Sequence, residues 1–212
     1  MDKVNNGNGL KMAYLDEGES EEVILLLHGF PELAYSWRRV VPALVHAGYR
    51  VIAPDQRGYG ETTGWALGYD VDLVPYAFEN LVRDVLGLLN ALDIPSVTAV
   101  VGHDFGSPVA AWAAMTHPEV FQRLVLMSAP FGVPTTNVFA AVARLEPPRV
   151  HYHHYYATPT ADRDMRQPPQ GLHDFLRGYF HYKSGDHPAN QTHPLTQEEL
   201  GSLPTYSAME AG

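Results

Sequence analysis

The chain of 212 residues contains no cysteine. Disulfides, thiolate nucleophiles and cysteine-ligated zinc are therefore excluded, and a reducing compartment is compatible with the composition. Positive charge is also scarce: 14 Lys and Arg stand against 24 Asp and Glu, a formal balance of −10. That balance repels phosphate backbones and offers no basic patch to anionic lipid, so nucleic acid and a charged membrane surface are excluded as partners. Long apolar runs are missing as well. The longest aliphatic stretch, Val23–Leu27, is far below the roughly 20 residues that span a bilayer. The polar start Met1-Asp2-Lys3-Val4-Asn5-Asn6 lacks the apolar stretch of a secretory signal, and Ala208-Met209-Glu210-Ala211-Gly212 matches no retention or peroxisomal address. No internal repeat is visible. The expectation is a cytoplasmic protein without a membrane span.

What is present suffices for one ordinary domain with a smaller appendage, since 45% of the residues are hydrophobic. Short β-rich runs at Lys11 to Leu15, Val23 to Leu27, Tyr49 to Ala53, Val97 to Val101 and Leu124 to Met127 predict five strands. Helical spacing fills Ser36 to Ala47, Tyr76 to Leu92 and Gly106 to Met115. After the first two strands the order is helix, strand, helix, strand, helix, strand, which predicts an α/β fold: a mostly parallel sheet with helices on both faces. Beyond Met127 the chain becomes rich in Pro, Tyr and His. A boundary near Val133 is expected, with residues 1–133 forming the core portion and residues 134–212 a partial helical lid. In the lid, helices are expected at Ala140 to Leu145 and Leu172 to Phe180, and a polar loop from Gly185 to Pro204.

The chemistry-bearing motif is Gly102-His103-Asp104-Phe105-Gly106, small residues spaced around an acid between a strand and a small-residue helix opening at Ser107. Such spacing suits a nucleophile on a tight strand-to-helix turn, because larger neighbours would clash with the strained residue. Taken alone it also suits a helix-capping turn or a phosphate loop. Two further motifs bear on that choice. His28-Gly29-Phe30-Pro31-Glu32 follows the strand Val23 to Leu27 and precedes Trp37. A loop there can supply one N–H of an oxyanion hole, from Phe30, with the second from Phe105 after the nucleophile. Asp55-Gln56-Arg57-Gly58-Tyr59-Gly60 ends the strand Tyr49 to Ala53; its Asp and Arg are expected to pair and to anchor neighbouring loops, a structural role.

Together these three motifs resemble those of epoxide hydrolases of the α/β-hydrolase fold, from about Asn8 to the C-terminus. The resemblance implies that Asp104 opens an epoxide through a covalent ester, with Phe30 and Phe105 as oxyanion donors and Trp37 lining the pocket. It further implies two lid tyrosines that hold the epoxide oxygen. Tyr152, in His151-Tyr152-His153-His154-Tyr155-Tyr156, is the best match to the first of these. A phenol with a pKa near 10 can donate to a developing alkoxide. Tyr155 is a candidate substrate contact, and the alternative that Tyr155 and Tyr156 only pack the lid stays open. His151, His153 and His154 are spaced too closely for a zinc site, and neither metal nor cofactor is expected.

Departures from the family are equally informative. The resemblance implies a histidine base, an orienting acid and a second lid tyrosine, and none of these is assigned: His173, His181, His187 and His193 precede any further strand-like run, and Ser128-Ala129-Pro130-Phe131-Gly132 carries no carboxylate. A carboxylate is ordinarily ionised at neutral pH and attacks without a base, whereas hydrolysis of the ester needs one. The expectation is slow single alkylation by a small apolar epoxide without turnover. The strand Leu124 to Met127 is expected to expose an edge open to self-association. A dehalogenase is the rival enzyme; the resemblance to that group would imply, directly after the nucleophile, a halide-binding Trp for haloalkane dehalogenases or an Arg for fluoroacetate dehalogenases, and Phe105 stands there instead. A non-catalytic truncated product is the rival of another class.

Overall fold

The computed structural model describes residues 1–129, 131–132 and 152–188, which fall into two compact units, Met1–Val133 and Pro134–Gly212. The first unit is built on six strands: β1 (Asp2–Asn5), β2 (Lys11–Glu17), β3 (Val23–Leu27), β4 (Arg50–Pro54), β5 (Ala99–His103) and β6 (Leu124–Met127). Their order across the sheet is β1-β2-β4-β3-β5-β6. The pairs β4·β3, β3·β5 and β5·β6 are parallel, while β1 and β2 add antiparallel at the far side. The α/β fold expected from the sequence is therefore observed, with one strand more. β1 escapes sequence reading because Asp2-Lys3-Val4-Asn5 carries a single apolar residue and is held by ladder hydrogen bonds to β2 rather than by burial.

Burial explains why β3 reads as an unbroken apolar run. Leu25 and Leu27 belong to the cluster that α2 (Phe78–Ala91) and α3 (Gly106–Thr116) cover, with Leu81, Val85, Leu88 and Val109. Ile24 and Leu26 belong to the cluster on the other face, with Ala34, Trp37 and Val41. A strand covered on both faces has no polar side to alternate with. The expected helix Ser36 to Ala47 is instead a 3₁₀ segment, Ala34–Arg39, followed by α1 (Val41–His46). The break coincides with Pro42, which has no N–H for a continuing helix but suits the first turn of a new one.

The charged turn after β4 departs from expectation in its pairing. Arg57 does not bind Asp55; its guanidinium grips Asp84 of α2 through Nε and Nη2, each at 2.7 Å, with both side chains buried. Asp84 also accepts from Asn6 and Asn8, tying the N-terminal segment to α2. Asp55 instead accepts the backbone N–H groups of Ala34 and Glu61, each at 2.9 Å. Gly60, at φ +52°, lies so close that a Cβ there would collide with the Asp55 carboxylate. The role is structural, as expected, but it is divided between two partners.

On the other side of the sheet, β6 pairs only with β5 among the described residues, and Leu124, Val125 and Met127 are 39, 46 and 41% exposed. The second unit contains α4 (Tyr152–Tyr156), α5 (Ala161–Arg166) and α6 (Leu172–Lys183). Of these the sequence predicts only α6, and ends it three residues early at Phe180. Ala161 is the single buried residue in the three helices. The helix expected at Ala140 to Leu145 lies outside the described residues, as do His151, His193 and most of the expected tail loop.

Candidate active site

Asp104 sits at the tip of a sharp turn between β5 and α3, at φ +49°, a left-handed conformation that is costly for a residue with a Cβ and persists only where its surroundings enforce it. The flanking sequence permits the turn. A Cβ at Gly102 would strike the backbone of Gly106, and one at Gly106 would strike the backbone at Leu27 and His28. The small residues at both ends of the motif are thus required by the approach of α3 to the sheet.

The loop after β3 comes equally close. A Cβ on Gly29 would collide with the Asp104 side chain, so only glycine lets this loop pass. Phe30 N–H donates to Asp104 Oδ1 at 2.9 Å. The peptide bond that follows, Phe30-Pro31, is cis. Phe105 is the N-cap of α3, so its N–H is one of the donors a helix N-terminus leaves without an intrahelical acceptor. Its ring stacks on Phe78 at 6.0 Å, and Phe78 stacks in turn on Trp112.

Neighbouring residues of the same motifs, to which spacing alone gives no role, hold this geometry. His28 is fully buried and bonded at both ring nitrogens: Nε2 accepts the Gln56 N–H at 3.1 Å, leaving Nδ1 to donate to the Gly29 carbonyl at 2.9 Å. Burial lowers its pKa below the ordinary value, so the neutral ring fixes the loop after β3. Gln56 Nε2 adds a bond to the His28 carbonyl at 2.6 Å. Glu32 joins loop to elbow, its Oε2 lying 2.8 Å from His103 Nδ1 and accepting Gly29 N–H at 3.2 Å. Tyr59 packs edge-on against His28 at 4.8 Å; burial, and secondarily the Asp104 charge, push its phenol up to about 12. The signal for these residues was adjacency alone: each lies within a motif already singled out.

Trp37 is 6% exposed, within the apolar cluster that includes Ala34 and Val41. Its ring meets His103 edge-on at 6.5 Å, and its Nε1 is buried without a hydrogen-bond partner among the described residues. In the second unit, Tyr152 packs against His153 and Tyr156. Tyr155 donates its hydroxyl to Asp164 at 3.0 Å; desolvation, followed by that bond, raises its phenol pKa.

A strained acidic elbow under a backbone N–H, on the strand ends of a mainly parallel sheet, is the arrangement of a hydrolase of the α/β class. The sequence matches the family described as alpha/beta hydrolase fold over residues 22–195. It is 37% identical to epoxide hydrolase B of Mycobacterium tuberculosis over 176 residues, covering 77% of this chain and 47% of the relative. It is 40% identical over 138 residues to epoxide hydrolase A of the same organism, covering 62% of this chain and 41% of the relative. Among solved structures, epoxide hydrolase A from Mycobacterium thermoresistibile aligns with a TM-score of 0.70 at 31% identity, over 95% of this chain and 67% of that one. The epoxide hydrolase from an endophytic Streptomyces aligns with a TM-score of 0.74 at 30% identity, over 100% of this chain and 61% of that one. The chain belongs to the α/β-hydrolase fold family, in its epoxide hydrolase-type branch. It spans about half the length of the curated relatives it matches.

Proposed function

We propose that Asp104 opens small apolar epoxides by forming a covalent ester. The observation that carries this reading is the bond from Phe30 N–H to Asp104 Oδ1, which holds one carboxylate oxygen at an oxyanion donor and leaves Oδ2 to attack. In the first half-reaction Oδ2 forms a bond to an epoxide carbon, the C–O bond breaks, and the alkoxide takes a proton from a phenol. Tyr152 is our candidate for that phenol. The product is a hydroxyalkyl ester whose carbonyl oxygen stays at the N–H groups of Phe30 and Phe105. Trp37 forms part of the wall beside the nucleophile, supported by its ring contact with His103. For Tyr155 the bond to Asp164 favours a packing role over a substrate contact.

The second half-reaction, attack of water on the ester, calls for a general base worth about a hundredfold or more. We assign none among these 212 residues, so the chain should accumulate ester rather than turn over. Cytoplasmic placement and self-association through β6 complete the proposal. The first is compatible with the cysteine-free composition, and the second is supported by the exposed apolar residues of β6. No helix among the described residues is long and apolar enough to cross a membrane.

Incubating the chain with styrene oxide and measuring intact mass tests the chemistry. One added epoxide, mapped to the peptide bearing Asp104 and absent from Asp104→Asn, is the expected result. An unmodified, folded chain would overturn the reading.

A further inference from the structure

Asp104 has a second set of restraints, below the elbow, that the oxyanion loop does not supply. The β5·β6 ladder ends with His103 opposite Met127. The next N–H, that of Asp104, donates to the Met127 carbonyl at 3.0 Å, and the Asp104 carbonyl accepts the N–H of Ser107 at 3.0 Å. Both backbone polar groups of the nucleophile are therefore committed to Met127 and Ser107.

Those two residues are fastened to each other. Ser107 is fully buried, and its hydroxyl donates to the Gly102 carbonyl at 2.7 Å and accepts the Met127 N–H at 3.2 Å. The Met127 carbonyl lies 3.0 Å from the same oxygen. One side chain thus reinforces the last rung of the β5·β6 ladder, where the chain turns into α3. A serine hydroxyl has one proton and two acceptor sites, and this arrangement uses both kinds.

We infer that Ser107 is a positioning residue for the nucleophile: by latching the end of β6 under Asp104, its hydroxyl holds the strained elbow in the geometry that Phe30 meets. A left-handed aspartate persists only where neighbours over-determine it. Here the restraint comes from β6, whose outer face is exposed, so the alignment of Asp104 depends on how well the end of β6 is held. The inference rests on the reading of Asp104 as nucleophile for its functional consequence, but not for its structural one.

The test compares Ser107→Ala and Ser107→Cys with the parent chain by residue-resolved amide exchange and by the rate of Asp104 esterification with styrene oxide. In Ser107→Ala the Met127 amide loses its side-chain acceptor and keeps only the strand ladder, and exchange at the Asp104 amide should accelerate roughly tenfold while Leu25 and Ile52 stay protected. The maximal esterification rate should fall by a similar factor with the half-saturating epoxide concentration unchanged. Ser107→Cys, with a weaker donor and acceptor, should fall between. Faster exchange at Met127 with Asp104 exchange and esterification unchanged would overturn the inference, reducing Ser107 to a brace for β6. Should Ser107→Ala unfold, seen as lost protection at Leu25, parent-like exchange at Asp104 in Ser107→Cys would overturn it equally. If the parent forms no ester, the reading of Asp104 fails while amide exchange still decides the role of Ser107.

Discussion

β3 and β6 flank the same strand, both parallel to β5, and are composed alike: Val-Ile-Leu-Leu-Leu and Leu-Val-Leu-Met. Every residue of β3 is at most 7% exposed, whereas Leu124, Val125 and Met127 of β6 are about two-fifths exposed. The difference lies in the neighbours. β3 has β4 on its other side and apolar clusters on both faces, while β6 reaches one cluster through Leu126 alone and has, among the described residues, no strand beyond it. Local sequence determines that a segment extends; the surrounding chain determines what its side chains contribute. Each strand end also meets Asp104, β3 leading into the loop whose Phe30 N–H bonds its carboxylate and β6 accepting its backbone N–H at Met127.

The largest effect should come from cutting the two strands alike. Leu25→Ala removes a fully buried side chain and leaves a cavity, a cost of about 2–5 kcal/mol. Val125→Ala removes atoms already facing solvent and should cost less than about 1 kcal/mol. Denaturant unfolding of both variants measures the contrast, and equal costs would show that β6 is covered by something the described residues do not include.

The same contrast explains what the sequence reveals. Val23–Leu27 and Leu124–Met127 were both legible as strands because periodicity and composition are local, and Gly102 to Gly106 was legible as an elbow because steric demand writes itself as small residues at fixed offsets. Asp2–Asn5 was not legible, since it carries one apolar residue and is held by backbone bonds to the neighbouring β2. Arg57 was assigned the nearer partner, Asp55, because sequence distance is all a sequence offers; Asp84, 27 residues on, is brought alongside only by α2 packing on the sheet. Within the candidate site, motif spacing singles out Asp104, Phe30 and Phe105, and the fold brings the Phe30 N–H to Asp104. The bonds of His28, Glu32 and Ser107 depend on side-chain direction across strand ends, which no local pattern encodes.

A smaller effect separates the strand ends by pH. β3 runs into His28, a buried neutral histidine, while β6 ends on Met127 and Ser128 with nothing to titrate. Burial lowers the folded-state pKa of His28 below 6.5. Below that pH the unfolded chain takes up a proton that the folded ring refuses. Stability is therefore unaffected above pH 7 and is lost as pH falls from 6.5 toward the folded value, by up to about 1.4 kcal/mol per pH unit. Unfolding at pH 7.5 and 5.5, with the His28 ring resonances followed in the native state, checks the sign. A ring that titrates near 6.5 in the folded protein would remove this asymmetry.

The smallest expected change in stability carries the comparison to its end. Val125→Lys places a charge on the exposed outer strand, where natural edge strands carry lysine to refuse partners, and should alter unfolding by no more than about 0.5 kcal/mol. Its effect on association should be disproportionate. If the exposed strand is an interaction surface, the parent chain self-associates as concentration rises and the variant does not, because a buried unpaired ammonium costs far more than the edge contact returns. Sedimentation of both over a concentration series reads this directly. A parent chain that stays monomeric throughout would mean that β6, despite its composition, is not an adhesive edge, and the difference between β3 and β6 would then be one of burial without consequence for partners.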